Sequence, residues 1–316
     1  MTARKPQTAT LIDTLSEGYA AVNRRPWLLG LPVALNLYLA FGARLSFAPL
    51  LASLGGLVQR IQPAGADPAV SQDMANVLEA LGQVDMRAQL ASLNFIPTLP
   101  PVSMQGADTI VISSVGGALL AFALINALAL PLSALFLVLT ARAVRGEATR
   151  PGLARDVGRT ALAILAYIAV IAIGGLALGL PYMVLSGLLM WLSPAVGVLA
   201  VIVLQLLIFW AWIYIGFTNE AIVMGGQGPL QAIRASFNLV RHNFWGTLGF
   251  LGLSAFVIPL GLGVVWQMIA GSPVGLAAAA VGSAYIGCGL AAARMVFYRE
   301  RIRRWQGAPA YVRTGR

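Results

Sequence analysis

Two ionisable residues stand where they could do chemistry beside a bilayer. Glu220 closes one long uncharged run of this 316-residue chain and Arg294 closes another. A carboxylate and a guanidinium at matching depth can form a structural ion pair or a proton-handling couple. Both fall near the inner ends of apolar runs, within reach of the interface, so an inner-side ion pair is the expectation. Uncharged polar residues interrupt the runs at Asn36, Asn126, Ser133, Gln205 and Gln267. In hydrocarbon such groups bond to neighbouring helices or backbone, or line a small cavity.

Other catalytic constellations are absent from the sequence. The single histidine, His242, lies between Arg241 and Asn243 with no nucleophile beside it. HExxH, paired carboxylates at mid-run and a phosphate-cradling GxxxxGK[ST] do not occur, which removes zinc-protease, proton-relay and ATPase readings. The lone Cys288 excludes an internal disulfide, a CxxC redox pair and a thiolate cluster. No cofactor, metal or catalytic residue is therefore expected.

The elements that must hold these residues follow from composition. With 59% hydrophobic and 10% charged residues, the chain has more apolar surface than a soluble core can hide. About 20 apolar residues make a helix that crosses the roughly 30 Å hydrocarbon layer. The charge-free runs then predict an all-α polytopic bundle of six spans in three hairpins. The spans are expected at about 27–47, 109–141 (bent at Pro131), 160–186, 194–218, 246–270 and 274–296. Turns are expected between Ser186 and Pro194 and at Gly271-Ser272-Pro273.

Lysine and arginine are retained on the cytoplasmic side. With both termini inside, only Arg44, Arg60 and Arg87 of the 21 basic residues face outward. The cluster Arg142, Arg145, Arg150, Arg155 and Arg159 stays inside, and the outer segment 60–108 carries Asp67, Asp73, Glu79, Asp85 and Asp108. The net charge of +10 is thus read as a topology signal, with no nucleic-acid partner expected. The expected location is a bacterial inner membrane.

Residues 230–245 show how the spans are introduced. Leu230, Ile233, Phe237 and Val240 form one helical stripe, and Trp245 follows where the chain turns apolar. Ile12, Leu15, Tyr19, Val22 and Trp27 repeat the pattern at an offset of 218. Each copy reads as an in-plane cytoplasmic elbow helix, with tryptophan at headgroup depth. Residues 153–161 suggest a weaker third copy.

The stretch AIRASFNLVRHNFW, residues 232–245, resembles a signature of the membrane domain of glycerophosphodiester phosphodiesterases and related six-span bacterial proteins. EAIVMGGQGPL before it and VFYRERIRR at the last exit are similar too, so the likeness covers roughly 110–304. The soluble phosphodiesterase domain of that group is not among these residues. The resemblance therefore implies architecture rather than catalysis.

Interface contacts are expected at Trp27, Trp245, Arg234, Arg241, Arg299, Arg301, Arg303 and Arg304, the last four opening a basic tail, 299–316, against the anionic inner leaflet. Gly275, Ala279, Ser283 and Gly287 fall four apart and predict a close-packing helix face, as do Gly175 and Gly179. The outer segment is expected to hold a helix capped by Asp67 and opened by Pro68, with Val70, Met74, Val77, Leu78 and Leu81 on one face. An extended NFIPTLPPV stretch, 94–102, should follow as a cap over the spans. The functional expectation is a non-enzymatic membrane module, 27–298 behind an N-terminal elbow 1–26, organising lipid or a partner protein. Its rival is the permease subunit of an ABC-type transporter, docking an ATPase through 142–159 or 225–241.

Overall fold

In lipid every backbone polar group needs an internal partner, and the long apolar runs of this chain accordingly close their hydrogen bonds as helices. The computed structural model describes residues 10–61, 68–82, 84–99, 108–147 and 152–305. Among these, five helices are long and apolar enough to cross a membrane: Val115–Arg145, Leu153–Leu192, Pro194–Gly225, Phe244–Ile269 and Pro273–Arg304. This is the architecture of a multi-pass helical membrane protein. The chain divides into two compact units, one of Met1–Leu28, Ala134–Leu262 and Tyr285–Arg316, the other of Leu29–Ser133 and Gly263–Ala284.

The first unit begins with α1, Leu11–Asn23, started by a capping box. The Thr10 hydroxyl accepts the Asp13 N–H at 3.2 Å, and Asp13 Oδ2 accepts the Thr10 N–H at 2.9 Å. A 3-10 turn, Pro26–Leu29, leads onward. Helix α7, Leu153–Leu192, and α8, Pro194–Ile215, are separated by Ser193 alone, because Pro194 fits the first helical position but cannot continue α7. The expected turn over 186–194 is therefore only its last part. Residues 153–161 run straight into α7 with no breaker between Arg159 and Thr160, so they are not a separate elbow.

After α9, Thr218–Gly225, comes α10, Pro229–His242, then α11, Phe244–Leu251. A π-helical turn, Gly252–Val257, precedes α12, Ile258–Ile269. Pro259 lacks an N–H and its ring would collide with the carbonyl four residues back, and the wider turn relieves that clash. The last helix, α13, Pro273–Trp305, carries the chain well beyond the expected end at 296. Phe217, Phe250 and Phe297 form a buried stack in this unit, the last two with centroids 4.6 Å apart and planes at 8°.

The second unit departs most from the sequence-based expectation. The first apolar run is helical only to Phe41 (α2, Gly30–Phe41), not to 47, because Gly42 turns extended. The chain then forms β1, Arg44–Ser46, parallel to β2, Thr109–Val111. The helix expected over 109–141 accordingly starts at Val115, as α6, Val115–Arg145, with Pro131 inside it. The segment expected on the outer side starts earlier than 60, with α3, Ala48–Ile61, followed by α4, Pro68–Gly82, and α5, Met86–Leu90. On α4, Val77 and Leu81 are exposed rather than packed. Asp67, the side chains of Val70 and Met74, residues 100–102, Arg150 and the tail from 306 lie outside the described residues. Leu93, Ile96 and Leu99 of the irregular stretch are buried, and Leu99 joins a core with Ala40, Ala270, Leu276, Ala279 and Ala280.

Candidate functional site

Glu220 sits in the first turn of α9, where the chain restarts after Phe217, and Arg294 in the second half of α13. Arg294 Nε donates to Glu220 Oε1 at 2.5 Å, and its Nη2 donates to the Gly216 carbonyl left free by the α8–α9 break. The guanidinium carbon lies 5.4 Å over the Phe217 ring, so the phenylalanine stack backs the pair. Thr218 donates to the Ile215 carbonyl at 2.8 Å. Glu220 Oε2 is buried and accepts no hydrogen bond among the described residues. Chemically the cluster is a buried acceptor locked on one oxygen by arginine, with the other oxygen open.

The span amides do not converge into a common site. Asn36 Oδ1 accepts the Leu99 N–H at 2.8 Å. Asn126 Oδ1 accepts the Ser92 hydroxyl and the Leu93 N–H, each at 3.0 Å, and its Nδ2 donates to the carbonyls of Leu90 at 2.7 Å and Phe122 at 2.9 Å. Ser133 accepts the Phe95 N–H at 3.0 Å. These three residues tie irregular backbone of 90–99 to helices, in place of a cavity. Gln205 and Gln267 are exposed.

Helices α1 and α10 form a second arrangement. The buried residues of α1 are Thr14, Gly18, Ala21 and Val22, and adding 218 to each gives Ala232, Ser236, Leu239 and Val240, the buried residues of α10. Small side chains on this face allow close approach: a Cβ on Gly18 would lie 2.5 Å from the Ala293 backbone nitrogen. Ser236 donates to the Tyr214 carbonyl at 2.7 Å and accepts the Phe217 N–H at 3.0 Å, bridging the end of α8 to the start of α9. The expected apolar stripe is split, since Val22 and Val240 turn inward while Ile12, Leu230 and Phe237 are exposed. Trp27 and Trp245 are exposed at 55% and 80%.

Arg234, Arg241, Arg303 and Arg304 are exposed. Arg299 is not: it donates to Glu17 Oε1 at 2.6 Å and to the Val144 carbonyl at 2.8 Å, holding α13 to α1 and α6. Arg301 is half-buried, 5.0 Å over the Phe297 ring. His242 Nδ1 makes a local contact with the Asn238 carbonyl at 2.8 Å. Cys288 is buried, its Sγ 3.9 Å from the Leu28 carbonyl oxygen.

The glycine faces also differ from the expectation. Gly18, Gly282 and Gly289, outside the predicted set, make close approaches to Ala293, Trp266 and Tyr19. Of the predicted set, Ala279 is fully buried and Gly275 abuts the Ile269 backbone, whereas Gly175 and Gly179 face open space, with no atom within 4 Å of where a Cβ would lie.

Sequence reasoning passes over Arg87 and Asp85, which look like solvated loop charges. Arg87 Nη2 lies 2.6 Å from Asp85 Oδ2, both side chains are over nine-tenths buried, and the guanidinium donates to the Tyr38 and Leu39 carbonyls at 3.1 and 2.7 Å. It thereby caps the last turn of α2. Burial alone would push the Asp85 carboxyl up, but bonds from the Arg87 side chain and N–H and from the Leu45 N–H, with the guanidinium charge, hold it below the usual carboxylate range. The Asp-x-Arg spacing at the start of α5 is the signal the letters offer.

Comparison of the chain with protein-family models, with curated proteins and with solved structures gives no match.

Proposed function

We propose that this chain is a six-crossing protein of a bacterial inner membrane, both termini cytoplasmic, whose paired elbow helices organise lipid or a partner protein at the inner leaflet. The observation that carries the reading is the face written twice: α1 and α10 bury the same four positions and leave Ile12, Leu230, Phe237 and the two tryptophans outside. A helix that docks by small residues and presents large apolar ones suits the plane of a headgroup layer. Arg234 and Arg241 of α10 and Arg303 and Arg304 at the end of α13, all exposed, add attraction to anionic lipid.

The sixth crossing in this reading is the 16-residue stretch Pro26–Phe41, about 24 Å at 1.5 Å per residue. That is short of the hydrocarbon thickness, and β1 extends it. Non-helical backbone at such depth needs its polar groups satisfied. The β1–β2 pairing and the Arg87 cap on the Tyr38 and Leu39 carbonyls meet that need.

The test is lipid retention. The chain purified in neutral detergent from membranes of mixed lipid should keep phosphatidylglycerol in preference to phosphatidylcholine, and Arg234→Gln/Arg241→Gln with Arg303→Gln/Arg304→Gln should lower the retained amount severalfold. Equal retention of the two lipids by the unaltered chain overturns the reading.

One contact favours the permease alternative. Arg159 Nη2 donates to the Gly226 carbonyl at 2.8 Å, joining the two segments expected to form a coupling surface. Copurification of a stoichiometric nucleotide-binding protein would establish that role.

A further inference from the structure

Where α6 ends, α7 begins and α9 ends, the first unit holds a cavity of about 490 Å³, well within the range of small-ligand sites. Arg142, Arg145 and Arg159 line it together with the apolar Val138, Ile222 and Met224. Two carboxylates, Glu147 and Asp156, also line it, leaving a surplus of one positive charge. The three arginines are not equally compensated. Arg142 is buried and bound to Asp156 at 2.6 Å, while the Arg145–Glu147 separation is 3.4 Å, longer than a good hydrogen bond. Arg159 is held by a carbonyl, that of Gly226, and no carboxylate lies within ion-pair distance of it among the described residues.

We infer that this cavity binds a phosphate group, with Arg145 and Arg159 as the anion-holding side chains and Arg142 as the fixed arm positioned by Asp156. Guanidinium forks match phosphate oxygens in pairs. The apolar residues of the lining suit a phosphate that carries a hydrocarbon neighbour, and the Glu147 carboxylate is an acceptor for a headgroup hydroxyl. The chemistry fits the phosphodiester of an anionic glycerophospholipid, or free phosphate. Capping of α6 and α9 carbonyl ends is the alternative role for these arginines. The inference rests on the inner-leaflet reading, since a cavity at the arginine-rich ends then opens at headgroup level.

Native mass spectrometry of the full chain in neutral detergent separates these outcomes. With added phosphatidylglycerol one tightly held lipid per chain is expected, displacing added phosphatidylcholine. Arg145→Gln/Arg159→Gln should weaken it about fivefold per arginine, roughly twenty-five-fold together. Glutamine at 159 keeps an amide donor for the Gly226 carbonyl, and an unchanged melting temperature would show that capping alone is not what was lost. Inorganic phosphate competing at millimolar concentration, with the same sensitivity to the variant, assigns the cavity to the free anion and still upholds a phosphate site. Unaltered binding of both phosphatidylglycerol and phosphate by Arg145→Gln/Arg159→Gln overturns the inference. If lipid retention in that case still falls on changing Arg234 and Arg241, the inner-leaflet reading survives without the cavity.

Discussion

Gly18 of α1 lies against Ala293 of α13 so closely that any β-carbon there would meet backbone, 2.5 Å from nitrogen and 2.6 Å from Cα. The equivalent position of α10, Ser236, fills its own contact with a hydroxyl that bonds two backbone groups. One face thus serves two helices by different means.

Gly18→Val should therefore undock α1. Overpacking of this kind costs about 1–3 kcal/mol. The expected readout is a lower melting temperature, with protease cleavage within α1 appearing before global unfolding. An unchanged cleavage pattern would mean that the contact does not hold the helix.

Ser236→Ala removes a donor to Tyr214 and an acceptor for the Phe217 N–H, leaving buried backbone groups unsatisfied at about 1–3 kcal/mol. Ser236→Thr retains the hydroxyl and tests whether the bond or the small volume matters more. Thermal unfolding in detergent measures both.

Breaking the Glu220–Arg294 pair should cost more. Removing one partner of a buried ion pair destabilises by about 3–5 kcal/mol, discounted here because Arg294 is 25% exposed. Glu220→Ala should be clearly less stable than the unaltered chain, and Glu220→Gln/Arg294→Met should recover part of the loss. A double variant no better than Glu220→Ala would locate the stability in the Arg294–Gly216 bond instead.

Asp85 predicts an acid limb. Its carboxyl is held below the ordinary value in the folded chain, so its stabilisation is complete above about pH 4. It is lost as pH falls through the lowered folded value. The melting temperature should drop more steeply below pH 4 in the unaltered chain than in Asp85→Asn, which begins lower at pH 6. Parallel profiles would contradict the Arg87 cap as a charge-dependent device.

Much of this architecture is legible in letters. Uncharged runs predict the long helices because length and apolarity are all a crossing requires, and Pro194 and Gly271-Ser272-Pro273 mark breaks by backbone chemistry. Depth alone pairs Glu220 with Arg294. The end of the first run is not legible, because Gly42 stops its helix through a conformation that apolar counting ignores. Arg87 is misread because a charged loop residue looks solvated until the free carbonyls it caps are known. The buried face of α1 is hidden for a related reason: Thr14 and Gly18 are not hydrophobic, and their smallness, which matters for close packing, has no weight in an apolar stripe. Arg299 reads as a headgroup contact until Glu17 and the Val144 carbonyl stand beside it.

Trp27 and Trp245 should sit at one depth. Substituting each by Phe and measuring the loss of quenching by lipids brominated near the headgroup should give similar, shallow-biased changes. Quenching that is unaffected by either change would remove the in-plane placement.

Sidedness is the most direct test of the whole account. In a Cys288→Ser background, single cysteines at Ser16, Ser53 and Ala154 would be challenged with a membrane-impermeant maleimide in intact and permeabilised cells. The account predicts that Ser53→Cys reacts in intact cells, while Ser16→Cys and Ala154→Cys react only after permeabilisation. Labelling of Ser16→Cys together with Ser53→Cys would show that Pro26–Phe41 does not cross, and labelling of Ala154→Cys alone in intact cells would contradict the orientation outright.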